Sequence, residues 1–371
     1  DFNGDGKADM AAYYTPTSLK MYLVNQPFPD LITSINNGFG GTNTLTYKPI
    51  TDNTVYAKDT TAVYPDFDYQ KPLYVVSSMS VADGFGSNYP YTYNYGGGKF
   101  NHIGRGWLGF RWMDSNDLTA KSKTKEFLLQ TFPFTGKSSE NETYDATIPA
   151  SPVIFAETWT SYITPAPNPF PGVHFVAPNR VDQLQYDGQA TPRQTARTME
   201  YDAYGNPTRA YHLGDLIPTT DDRDERTDWA VDVANWLHRP KGSTLKNAAG
   251  TLFRETWLYY DNQAHGVLGP RGLLTKEEAR LAGGAGDNGN PSASYAYDAF
   301  GNQTTATTRV DLTRNCATTT TYESTYQTFP NQVTNCLGQF STSVFDAKFG
   351  VATSETDLNG QTTTANYDLF G

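Results

Sequence analysis

The chain has 371 residues and a net charge of −11, with 37% hydrophobic, 14% aromatic and 18% charged residues. It is too apolar for a disordered chain and too poor in charge for a coiled coil, and its acidic balance with scattered basic residues argues against a nucleic-acid partner. No run of about 18 apolar residues occurs, which excludes a transmembrane helix and any insertion by that route.

Turn formers and aromatics are both abundant, with Gly 32, Pro 22, Tyr 25 and Phe 20. Many short strands joined by tight turns use this composition, so the expected fold class is all-β. At the N-terminus, Asp1-Phe2-Asn3-Gly4-Asp5-Gly6-Lys7-Ala8-Asp9 alternates oxygen-bearing residues around a bend at Gly6. A hard cation takes six to eight oxygen ligands, and Asp1, Asn3, Asp5, the Lys7 carbonyl and Asp9 supply most of them, so the loop predicts structural Ca²⁺. The alternative is a solvated Asp/Asn turn without metal. The loop begins like an EF-hand but lacks its closing Glu. Because the chain starts inside this loop, without Met, and stops at Gly371 inside a repeat, it reads as a fragment of a longer protein.

Further along, Gly104-Arg105-Gly106-Trp107-Leu108-Gly109-Phe110-Arg111-Trp112 mixes cations and aromatics. It reads as a packed strand junction rather than a glycan or single-strand platform. The run Asp221-Asp222-Arg223-Asp224-Glu225-Arg226 reads as a solvated loop. Two short helices are expected: one over Asp228 to Leu237, closed by Arg239-Pro240, and one opened by the capping box Thr275-Lys276-Glu277-Glu278 and running through Leu281. Gly283 to Pro291 is a loop. Its Gly284-x-Gly286-x-x-Gly289 has no preceding strand and no following helix, so no dinucleotide site is assigned. Cys316 and Cys336 flank a turn at Phe329-Pro330 and either bridge across a hairpin or stay as two buried thiols, which leaves the redox compartment open.

The strongest pattern is a repeat. Tyr201-Asp202-Ala203-Tyr204-Gly205-Asn206 recurs as Tyr297-Asp298-Ala299-Phe300-Gly301-Asn302 and as Tyr367-Asp368-Leu369-Phe370-Gly371, with looser copies at Tyr186-Asp187-Gly188, Phe345 to Gly350 and Asp357 to Gln361. In each, Asp can bond turn amides while Gly takes the left-handed position, and Thr-rich strands such as Thr318 to Tyr322 run away from the turn. The tyrosines are expected to stack between successive hairpins. No HExxH, GxSxG, Walker A or CxxC motif occurs, and none of His102, His174, His212, His238 and His265 pairs with another at metal-ligand spacing.

Several stretches resemble a known family. Asp30 to Gly40 followed by Thr44 to Pro49, then Pro72 to Val76, Tyr95 to Lys99 and Gly104 to Arg111, resemble the segment after the β-propeller in the B component of bacterial ABC-type insecticidal toxin complexes and in related plasmid virulence proteins. The Tyr-Asp copies resemble RHS (YD) repeats. The resemblance implies three parts: residues 1–29 as the last metal-loop segment of a propeller, 30–180 as a junction with the first shell strands, and 181–371 as RHS repeats. It further implies that the repeats spiral into a hollow shell enclosing a cytotoxic C component until a pore-forming translocation component opens a route, and that the protein is secreted. The later repeats and the Asp-rich core of the self-cleaving protease are lacking, so neither toxicity nor autoproteolysis is expected of this chain. The leading function is therefore non-enzymatic, a wall segment of a toxin-delivery protein. An extracellular adhesion or carbohydrate-binding module is the alternative, and a glycan hydrolase is disfavoured because no carboxylate pair stands out.

Overall fold

The structure, a computed structural model, describes residues 2–24, 30–165, 171–217, 219–280, 290–311 and 313–368. The described residues contain 28 strands and a single three-residue 3-10 turn, Thr219–Asp221. The all-β expectation holds.

The chain divides into two compact units, one made of Asp1–Met199, Ala203–Gly205 and Leu213–Ile217, the other of Glu200–Asp202, Asn206–His212 and Pro218–Gly371. In the first, an antiparallel sheet runs in the order Ser34–Asn36, Thr42–Pro49, Tyr74–Ala82, Asn88–Gly96, Trp112–Asp117, Ser122–Leu128, Ser138–Asp145, Val153–Ile163, Ala177–Gln185 and Arg193–Tyr201. Tyr56–Ala57 joins it by a short parallel pairing with Tyr95 and Gly96. Beside it lie a small sheet of Asp66–Asp68, Lys99–Asn101 and Gly106–Gly109 and the N-terminal hairpin Met10–Thr15/Ser18–Tyr22. The packed core is Ile50, Val55, Tyr56 and Val75, with Tyr69, Tyr95 and Phe110 against it.

The second unit is a plain meander. From Pro207–Asp215 each strand pairs antiparallel with its successor through Arg223–Asp232, Leu237–Asn247, Leu252–Tyr260, Leu274–Arg280, Ser292–Tyr297, Gln303–Arg309, Asn315–Tyr322, Pro330–Thr334, Phe340–Asp346 and Val351–Thr356 to Thr362–Thr364. Both expected helices are strands instead. Asp228–Asp232 ends Arg223–Asp232, residues 233–236 turn, and Pro240 is accommodated opposite Trp229 at a register shift. Thr275 and Glu278 lie in Leu274–Arg280, where the Thr275 hydroxyl accepts from the Asn262 amide instead of capping a helix. The Asp221–Arg226 run is no solvated loop either, since Asp222 is buried under the Tyr211 hydroxyl and Arg209 forks onto Asp224 at 2.7 and 3.1 Å.

Hairpins turn at Asp298 and Asp346 as the repeat predicts, and Asp202 opens the turn between Arg193–Tyr201 and Pro207–Asp215. The chemistry of two copies is identical: Asp298 Oδ1 accepts the Asn302 amide at 2.9 Å and Oδ2 accepts its side-chain nitrogen, and Asp202 holds Asn206 in the same two bonds. Gly301 has φ +95°, a region open to glycine at no steric cost. Cys316 and Cys336 are bridged. The loop Gly283 to Gly289 and residues Leu369 to Gly371 of the third repeat lie outside the described residues.

Candidate functional site

The junction is built around three consecutive glycines. At Gly96 an added Cβ would lie 2.2–2.4 Å from the Trp112 indole, at Gly97 (φ +63°) 2.5 Å from Asp59 Oδ2, and at Gly98 2.8 Å from the Trp107 ring. Only glycine lets backbone approach rings this closely. The Gly98 amide donates to the Tyr56 hydroxyl at 2.9 Å, and that hydroxyl donates to the Tyr69 carbonyl at 2.6 Å. Arg111 forks onto Asp59 at 2.7 and 2.9 Å, and this guanidinium holds the Asp59 carboxyl below the usual carboxylate range. Trp107 and Phe110 meet edge to face at 5.2 Å, and the Arg105 guanidinium stacks on Phe132. The Gly104–Trp112 stretch is thus a packed junction, with its cations committed to neighbours.

Along the sheets seven tyrosines follow one rule. A Tyr at or near the C-terminal end of a strand sends its hydroxyl to a carbonyl near the start of the preceding strand: Tyr47 to Ile32, Tyr95 to Val76, Tyr162 to Ser138, Tyr260 to Pro240, Tyr297 to Leu274, Tyr322 to Gln303 and Tyr367 to Ala352, all at 2.7–3.1 Å. At Tyr297 the anchorage expected as ring stacking is a hydroxyl latch that closes the open end of a strand pair.

A row of carboxylates crosses the first sheet. Glu142 and Glu157 are directly opposed on Ser138–Asp145 and Val153–Ile163, with Glu140 one pleat away on the same face. Trp159 Nε1 donates to Glu140, the Tyr144 hydroxyl to Glu142 and the Tyr186 hydroxyl to Glu157. Lys125 is opposite Glu142, yet its ammonium sits 4.8 Å over both Trp112 and Phe127, and none of the three carboxylates has an ion pair among the described residues. Burial pushes the Glu157 carboxyl above its usual range, and Glu140 and Glu142 push the same way. Glu157 is 7% exposed. Strand register alone creates this row, so the residue order gave no signal of it.

In the N-terminal loop, Asn3 Oδ1 accepts the Asp5 amide, Asp5 Oδ1 accepts the Lys7 amide, and the Lys7 ammonium lies 3.1 Å from Asp5 Oδ2. The two oxygens of Asp9 accept the Phe2 and Val24 amides. These backbone bonds hold the Asp5 and Asp9 carboxyls below their usual range. Asp1 lies outside the described residues, and among the described residues no three His, Cys, Asp or Glu side chains are placed to hold a metal. Asn3 and Asp5 share one turn, and the Lys7 ammonium pairs with Asp5.

The histidines have structural partners. His102 stacks on Phe67, His174 meets Phe132 edge-on, His265 stacks on Trp257 and bonds the Lys241 carbonyl, His238 bonds Asn206, and His212 lies 3.9 Å from Glu225. No helix of the described residues is long and apolar enough to cross a membrane.

Comparison with known proteins places this arrangement. No curated protein matches the sequence. Among solved structures, one of TcdB2-TccC3-TEV is similar at 12% identity and TM-score 0.70 over 96% of this chain, and one of TcdB2-TccC3-Cdc42 at 11% identity and TM-score 0.66 over 91%. A structure of TcdB2-TccC3 without its hypervariable C-terminal region is similar at 12% identity and TM-score 0.68, again over 91%. This chain spans about a quarter of their length, 24% in each. Residues 1–135, which hold the glycine junction and the latches at Tyr47 and Tyr95, match the family described as the insecticide toxin TcdB middle/N-terminal region, so the resemblance of the chain is to the B component of insecticidal toxin complexes.

Proposed function

We propose that the chain is a non-enzymatic wall segment of a secreted toxin-delivery protein, in which RHS hairpins spiral into a shell around a cytotoxic C component that leaves through a pore-forming translocation component. The observation that carries this reading is the run of consecutive antiparallel hairpins, Thr-rich from Gln303 onward, following a segment that matches the TcdB family. Tyrosine hydroxyls spent on backbone carbonyls favour a wall over a glycan-binding surface, which needs them free. Residues 1–29 end the propeller, 30–180 form the junction and 181–371 begin the repeats. In the parent protein co-expressed with its C component, the cargo should resist proteinase K as long as the shell is intact. Cargo digested as fast as the isolated polypeptide would remove the proposal.

The same reading places a structural Ca²⁺ ion on Asp1, Asn3, Asp5, the Lys7 carbonyl and Asp9, with Asp5 exchanging its Lys7 partner for the metal. Titration calorimetry on the parent protein should show Ca²⁺ binding that Asp5→Ala abolishes. Equal heats for the two proteins would refute it.

A further inference from the structure

Two turns of one design carry aromatic rings into water. Asn37-Gly38-Phe39-Gly40 joins Ser34–Asn36 to Thr42–Pro49, and Asp83-Gly84-Phe85-Gly86 joins Tyr74–Ala82 to Asn88–Gly96. Asn37 Oδ1 accepts the Phe39 and Gly41 amides, and Asp83 Oδ1 accepts the Phe85 and Ser87 amides, so both turns are braced from within. Phe39 is 97% exposed and Phe85 96%. Rigid presentation of a bare aromatic ring marks a contact surface more than a folding need does.

The surroundings say what fits. Consecutive antiparallel strands reverse direction, so the turns carrying Leu118 and Ile148 leave the sheet by the same edge as Phe39 and Phe85. Between those two turns opens a cleft of about 520 Å³, walled by Leu118, Ala146, Pro149 and Pro152, with Asp117, Lys121 and Lys123 also in its lining and Lys123 committed to Asp114. Lys121 has no ion pair among the described residues, and Asp83 Oδ2 has no partner among them. One edge therefore carries an acidic aromatic knob and an apolar hole in which the Lys121 ammonium is the charge without an ion pair among the described residues, in a chain whose net charge of −11 otherwise opposes self-contact.

We propose that this edge pairs with that of a second copy of the chain: the Asp83–Gly86 turn of each copy seats Phe85 in the cleft of the other and brings Asp83 to Lys121. A two-fold axis makes the contact twice and closes it, where a head-to-tail arrangement would grow without limit.

Sedimentation equilibrium of the 371-residue chain tests this. The expected result is a monomer–dimer equilibrium in which Phe85→Ser raises Kd by about tenfold or more and Lys121→Glu also weakens the dimer, both with unchanged circular dichroism. The acetylated, amidated hexapeptide Ala-Asp-Gly-Phe-Gly-Ser, copied from residues 82–87, should bind the Phe85→Ser chain and not the Phe85→Ser/Lys121→Glu double variant. A chain that stays monomeric up to about 200 μM, or a dimer indifferent to Phe85→Ser, overturns the proposal. So does a monomer that floats with phosphatidylcholine vesicles in a Phe85-dependent way, which would give the edge to lipid.

Discussion

Replacing Tyr297 with Phe removes a single hydroxyl and leaves the ring. The Leu274 carbonyl then loses a 2.7 Å bond from a partly buried donor. A hydrogen bond of this kind contributes about 1 kcal/mol net. Tyr297→Ala also removes a half-buried ring, worth about another 1 to 2 kcal/mol of apolar area, for a total of about 2 to 3 kcal/mol. In a domain of 150–250 residues each kcal/mol moves Tm by about 2–4 °C. Differential scanning calorimetry should therefore order the midpoints as parent, then Phe, then Ala, with Phe lying a third to a half of the way down. Hydrogen exchange should speed up at the Leu274 end of its strand in both variants. A Phe variant melting with the parent, while Ala falls by the full amount, would show that the ring alone holds the hairpin and would refute the latch.

Glu157 predicts a pH dependence. Its folded-state pKa is raised, so its contribution to stability is full below the unfolded value and is lost as pH rises through the folded one. Glu157→Gln should therefore be more stable than the parent at pH 7 and gain nothing at pH 3.5, measured as the difference in urea midpoints; a gain independent of pH would refute the burial argument. Gly96→Ala forces a Cβ into the Trp112 indole and should cost about 3 kcal/mol or leave the first unit unfolded, with loss of Trp fluorescence structure as the readout. Reducing Cys316–Cys336, which closes a 20-residue separation, should cost about 3 kcal/mol, read as a lower midpoint in dithiothreitol.

The legible part of the fold was the part encoded within a few residues. Asp298 and Asn302 are four apart and fix a turn by themselves, so the hairpins could be read from the Tyr-Asp copies. The two expected helices failed for the converse reason. Thr275 to Glu278 has the spacing of a capping box, but Leu252–Tyr260 pairs with Leu274–Arg280 along its length, Ser292–Tyr297 pairs with Lys276 to Glu278 on the other side, and Glu278 finds Asn290 at 2.6 Å in the interior. The latches join residues 15 to 24 apart, set by hairpin length and not by local sequence. The opposition of Glu142 and Glu157 depends on register across a turn and a shift, which residue order does not state. The cysteines showed their turn but not their oxidation state.

Nearest-neighbour pairing has a kinetic consequence. Among the described residues of the second unit, each strand from Arg223–Asp232 to Val351–Thr356 bonds to the one before and the one after it in the chain, and the latches at Tyr297 and Tyr322 reach back no further than the previous strand. Sheet proteins usually fold slowly because partners distant in sequence must find each other first. Here each hairpin can close as soon as its second strand is available and then serve as the template for the next, so the sheet can grow from its N-terminal end at the pace of synthesis, with one growing strand edge exposed at any moment.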